Sequence, residues 1–231
     1  MSKKYYKPIF SGNADINRNA YLNWRTDVND KIHNLGVLAE GYMESAVILS
    51  VSVLKDNFDK KADALIFPII FNANHAIELY LKEILWCQYL LLDRKQKIEG
   101  GHNIRYLYNA VSNRMDDVLK KYPMLTETKS GFNDLTSNLR FYIEELYDKL
   151  MVTDEKGNPV ANMDFSRYPF SKDYEEHFYV RETDNVVVDL ENFAQRFSEL
   201  GDDLDSLAGW IKQLLDDKLE ADYMERYFFE E

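Results

Sequence analysis

Leu190, Phe193, Phe197, Leu200, Leu204, Leu207, Ile211 and Leu214 recur in an unbroken alternation of steps of three and four. Only an α-helix turns that spacing into one continuous apolar stripe, because about 3.6 residues complete a turn. A stripe of this length has to be covered, by helices of its own chain or by a second subunit, and it suits near-parallel or antiparallel packing. The same alternation runs through Val28, Ile32, Leu35, Ala39, Tyr42, Ala46, Leu49 and Val53.

Three further helices follow from the same reasoning. One begins near Ala64, takes Pro68 into its first turn, carries Ile66, Ile70, Ala73, Ile77, Leu81 and Leu85 on one face and ends around Leu92. Gly100-Gly101 breaks the pattern, and Asn103 is the expected N-cap of a helix bearing Ile104, Leu107, Val111, Val118 and Leu119, closed by Pro123. A fourth runs from about Phe132 to Met151, and Gly157-Asn158-Pro159 then reads as a turn. Between Val152 and Asp189 the β-formers Phe178, Val180 and Val186 to Val188 flank Thr183-Asp184-Asn185, which predicts a hairpin. The expected fold is mainly all-α: a five-helix bundle with a small β-hairpin-containing insert before the last helix. Residues 1–27 form an N-terminal arm and 28–231 a single helical domain, with the insert at about 152–189.

Hydrophobic residues make up 45% of the 231, enough apolar surface for a packed core. A net charge of −12 disfavours non-specific attraction to phosphate backbones, so nucleic-acid contact requires a local basic patch. Cys87 is the only cysteine, which excludes an intrachain disulfide and a multi-cysteine zinc site and points to a reducing, cytoplasmic compartment. The longest apolar run, Leu65 to Phe71, is interrupted by Pro68 and too short to span a bilayer, so no membrane segment is expected.

Signatures of P-loop, dinucleotide-binding, serine-hydrolase and zinc-protease chemistry are missing. No metal and no cofactor is expected. Helical spacing places His75, Glu78 and Lys82 on one polar stripe, either a site edge or a surface i,i+4 pair beside a histidine bordering the core. His102 lies at a loop-to-helix junction where N–H groups favour anions, or else closes the junction through backbone hydrogen bonds. Pro169 biases Tyr168 towards an extended conformation and so helps fix Arg167, a guanidinium suited to phosphate or to a bundle carboxylate. His33 and His177 have no local companion.

The stretch Asn74-His75-Ala76-Ile77-Glu78-Leu79-Tyr80-Leu81-Lys82, followed by Gly101-His102-Asn103-Ile104 and Leu107, resembles two motifs of the HEPN superfamily. These are the "E-L-x-L-K" core of its second helix and the "H-[DN]-[LI]-x-x-L" that opens its third. The likeness spans about Asn29 to Asp148. It implies a helical bundle that commonly dimerises and serves prokaryotic toxin–antitoxin, phage-defence or stress systems. Catalytic members of the superfamily cleave RNA without metal, pairing an Arg with a His across four to six intervening residues; the imidazole does acid–base work and the guanidinium stabilises phosphate charge. This chain departs from that pattern, since Arg94 and His102 are separated by seven residues.

Two functions are therefore expected. The first is a partner-dependent interaction or nucleotide/RNA-sensing module, a homodimer with a protein partner encoded nearby, whose binding residues are His75, Glu78, Lys82 and Arg94. The alternative is a divergent metal-independent endoribonuclease with His102 and Arg167 as its catalytic pair.

Overall fold

The computed structural model describes residues 7–95, 101–153 and 159–229. The expected all-α class holds. Long helices α1 (Lys31–Lys55), α2 (Ala62–Leu91), α3 (Ile104–Lys121) and α4 (Lys129–Leu150) precede a single helical turn, α5 (Phe178–Arg181), and the long α6 (Leu190–Phe229). Strands β1 (Met151–Thr153) and β2 (Pro159–Ala161) pair antiparallel, with Met151 opposite Ala161.

Capping fixes three of the helix starts. Asp30 Oδ1 accepts the His33 N–H at 2.8 Å, Asn103 Oδ1 accepts that of Tyr106 at 2.9 Å, and Asp189 Oδ1 accepts those of Glu191 and Asn192 at 3.1 Å. Val28 lies ahead of the first cap and is exposed, so the first stripe begins at Ile32. Pro68 is not in the first turn of α2 but inside the helix, where its missing N–H leaves the Ala64 carbonyl without the usual helical donor.

Helix α2 is the axis of the molecule. It packs against α1, α3 and α6, and from Ala76 to Leu81 every residue is buried. A helix apolar on one face alone would not need three neighbours, and the single stripe read from the sequence understates its burial. On α6, Phe193, Phe197, Leu200, Leu204, Leu207 and Ile211 are all buried, so this seam faces its own bundle and not a second subunit. Apolar side chains are left uncovered on α1, at Leu38, Ile48, Val51 and Leu54.

The hairpin expected around Thr183-Asp184-Asn185 is not formed. Phe178 to Arg181 make a helical turn, and Val186 to Val188 belong to no strand. The packing gives the reason: Phe178 meets Phe165 with ring centroids 5.5 Å apart, and Tyr179 meets Phe67 at 5.1 Å. Successive residues of a strand point to opposite faces, whereas a helical turn lets neighbouring rings both reach the body of the protein. The expected turn residues Gly157 and Asn158, and the acidic end Glu230-Glu231, lie outside the described residues.

By length and composition α1 and α2 are each apolar enough to cross a membrane. A search for an unbroken apolar run misses them, because polar residues interrupt both. Within the fold half of the most apolar stretch of α2 is buried.

Candidate functional site

One side of α2 holds Phe71, Asn74, His75, Glu78 and Lys82, spaced by threes and fours so that they rise along a single strip. The junction ahead of α3 covers the strip from one side, and the 3₁₀ turn Met163–Ser166 with Arg167 covers it from another. Between them lies a pocket of ≈ 190 Å³, lined by Asn74, His75, Glu78, His102 and Arg167 with Phe71, Met163 and Ser166.

Glu78 organises the polar wall and is only 4% exposed. Lys82 Nζ donates to its Oε1 at 2.5 Å, and His102 Nδ1 donates to its Oε2 at 2.9 Å. His75 Nδ1 stands 3.6 Å from the same Oε2. Burial pushes the carboxyl's pKa up, but the hydrogen bonds of His75, Lys82 and His102 outweigh it and hold the group down to about 2. Glu78 is therefore a fixed anion, and the surface-pair reading of Glu78 and Lys82 does not survive its burial.

Each basic side chain around it is oriented by a specific contact. His75 stacks on Phe71, with planes 8° apart and centroids at 5.8 Å, and meets Tyr42 edge-on at 4.6 Å. His102 immediately precedes the cap residue Asn103, whose Oδ1 also accepts the Tyr147 hydroxyl at 2.6 Å. The junction is thereby tied to α4. With Nδ1–H given to Glu78, Nε2 is the ring nitrogen left for chemistry, as acceptor in the neutral ring and donor in the charged one. The side chain of His102 is 61% exposed, so solutes reach it.

Arg167 closes the opposite wall. Its backbone N–H donates to the Asp164 carbonyl at 2.8 Å, Nη1 donates to Asp164 Oδ1 at 3.3 Å, and the guanidinium lies over the rings of Phe71 and Tyr168 at 5.6 and 5.5 Å. Asn162 Oδ1 caps this turn by accepting the Asp164 N–H at 2.8 Å.

Of the residues singled out in the sequence, His75, Glu78, His102 and Arg167 share the pocket, and Lys82 reaches it through Glu78. Arg94 does not; it donates to Asp117 of α3 at 3.0 Å. Sequence reasoning missed Asn74, which is buried and hydrogen-bonded to Tyr142 of α4. The available signal was the pair of amides Asn72 and Asn74 between Ile70 and Ile77, on a helix otherwise bound for the core. Among the described residues no cluster of His, Cys, Asp and Glu is arranged to hold a metal ion. No protein-family model, no curated protein and no solved structure matches this chain.

Proposed function

We propose that the pocket binds the phosphate group of a nucleotide or an RNA, and that the chain is a HEPN-like, partner-dependent sensing module of a prokaryotic defence, toxin–antitoxin or stress system. One observation carries the reading: an imidazole held by a buried carboxylate and a guanidinium from 65 residues further along the sequence line the same pocket. Histidine and arginine side chains converging on one concavity suit a phosphate better than a neutral ligand. Binding is placed ahead of catalysis because Arg167 is paired with Asp164. The test is calorimetric titration with mononucleotides: micromolar to millimolar binding is expected, lost in His102→Ala and Arg167→Ala. Intact affinity in both variants moves the site elsewhere.

The second reading, a metal-independent endoribonuclease, is favoured by the Glu78–His102 bond, which fixes the ring and leaves Nε2 for proton transfer. Incubating the protein with RNA in EDTA decides it, since cleavage with cyclic phosphate ends replaces the sensing reading.

Homodimerisation is part of the proposal and is supported by the uncovered Leu38, Ile48, Val51 and Leu54 of α1. A monomeric mass by light scattering at micromolar concentration removes it. A cytoplasmic location is supported by the single cysteine and by the burial of α2 in the bundle.

A further inference from the structure

The chain carries two surfaces of opposite charge, and its own fold leaves both uncovered. The first is the segment ahead of α1. Residues 1–25 hold five lysines and arginines and one aspartate, although the whole chain has 28 basic against 40 acidic residues. Arg25 ties the segment to α1, through an ion pair with Glu40 at 3.7 Å and a carbonyl that accepts from His33 Nε2 at 2.8 Å. Among the described residues, every hydrogen bond and ion pair of residues 7–24 stays within this segment. Ile9, Phe10, Leu22 and Trp24 are at least 79% exposed, four large apolar side chains without cover.

The second surface is a groove of ≈ 310 Å³ between α1 and α6. Glu40 and Glu44 stand on α1 and Asp202 and Asp205 on α6, and no lysine, arginine or histidine is among the lining residues. Of the four carboxylates only Glu40 has an ion-pair partner among the described residues, and the group is not arranged to hold a metal ion. Tyr80 reaches the groove from α2. It is 2% exposed, and its hydroxyl has no hydrogen-bond partner among the described residues although the oxygen is not sealed from water. Along α1, Val51 and Leu54 continue the strip of Glu40, Glu44 and Val47 at steps of three and four, so the acidic wall runs on into uncovered apolar surface.

We infer that the segment ahead of α1 in one copy docks in the α1–α6 groove of a second copy, its cations against the four carboxylates and its apolar side chains over Val51 and Leu54; this rests on the homodimer reading above. Charge decides against groove on groove, because like signs repel, and in favour of segment on groove. Each copy gives one segment and receives one, so a twofold axis relates the two contacts and the assembly closes at two chains. The area suffices. Per copy, the rings of Phe10 and Trp24 at ~150–250 Å² each, with an equal area of the surface they cover, remove roughly 600–1,000 Å² from water, against about 800 Å² per partner in a standard interface.

The experiment uses the full chain and changes only exposed residues. Lys7→Glu with Arg18→Glu reverses the segment, and Glu44→Lys with Asp202→Lys reverses the groove. Each double variant alone is expected to weaken dimerisation by about tenfold or more in analytical ultracentrifugation. An equimolar mixture is expected to restore it, because reversed segment then faces reversed groove and native faces native. As a second measure, Phe10 is replaced by p-benzoylphenylalanine and a mixture of isotopically heavy and light chains is irradiated; crosslinks are expected between copies, onto residues 40–54 or 198–205. Dimerisation unmoved by either reversal, a mixture that fails to restore it, or crosslinks confined within one copy overturns the inference and leaves the homodimer reading standing. A monomeric full chain overturns that reading itself, and this inference with it.

Discussion

Glu78 and Glu83 lie on the same helix, five residues apart, 4% and 6% exposed, and they behave as opposite kinds of group. Glu78 faces Lys82, His75 and His102 and stays charged. Glu83 faces α1, where a Cβ on Gly36 would come within 2.9 Å of its Oε2, and that oxygen has no hydrogen-bond partner. Burial raises the Glu83 carboxyl to about 7, with Asp205 and Asp30 adding to the rise and Lys212 opposing it. Residue type, helix and depth are shared. The partner set alone decides whether a buried carboxylate is a fixed charge or a proton-binding group.

The largest test of that conclusion places a third carboxylate between them. Leu81 is fully buried in the core, and Leu81→Asp gives a carboxylate no partner at all; loss of the folded state is expected, read as loss of the cooperative thermal transition. An unchanged transition means that burial on α2 costs less than the comparison assumes.

Removing Glu78 is expected to come next. Glu78→Ala strands Lys82 and frees His102, and is expected to destabilise by about 3 kcal/mol in urea unfolding at pH 7. Its pH dependence follows from the lowered native value. The native carboxyl holds its proton less tightly than the unfolded one, so its contribution is present above about pH 4.5 and is lost as pH falls towards 2.

Glu83 has the opposite sign. Between about pH 4.5 and 7 the native state binds the extra proton, so stability falls as pH rises through that window and levels off above it. Glu83→Gln is expected to stabilise by roughly 2–3 kcal/mol at pH 8 and to do little at pH 4.5. A gain that is equal at both pH values would show that packing and not charge limits this position. The smallest stability effect is expected at the pocket rim: His102→Ala, at a side chain 61% exposed, shifts Tm by no more than a few degrees. A large shift would make the Glu78–His102 bond a structural one.

Much of the helical fold is legible in the sequence because α1, α3 and α6 each carry a stripe of the right period. The insert is not, since Phe178, Val180 and Val186 have β propensity while the contacts of Phe178 and Tyr179 with distant rings favour a helical turn. The site is legible in pieces. Local chemistry marks His75, Glu78, His102 and Arg167, but spacing along α2 cannot tell whether another element covers Glu78. The same limit hides the contrast with Glu83, whose surroundings come from α1 and α6. Asn74 stays hidden because its partner, Tyr142, is 68 residues away.

The length of α6 also determines how the molecule moves through solution. Its 40 residues at about 1.5 Å each make a rod of roughly 60 Å. A compact body of 231 residues has a radius of gyration near 17 Å, and hence a diameter of roughly 45 Å. The rod therefore outruns the body it belongs to. Among the described residues the last buried side chain along it is Leu215, and beyond that point Leu219, Tyr223 and Met224 are exposed while Lys218 is fastened to Asp93 at 2.9 Å. A single copy of this outline sediments more slowly than a sphere of its mass, and its tumbling is anisotropic, with slow reorientation of the α6 axis.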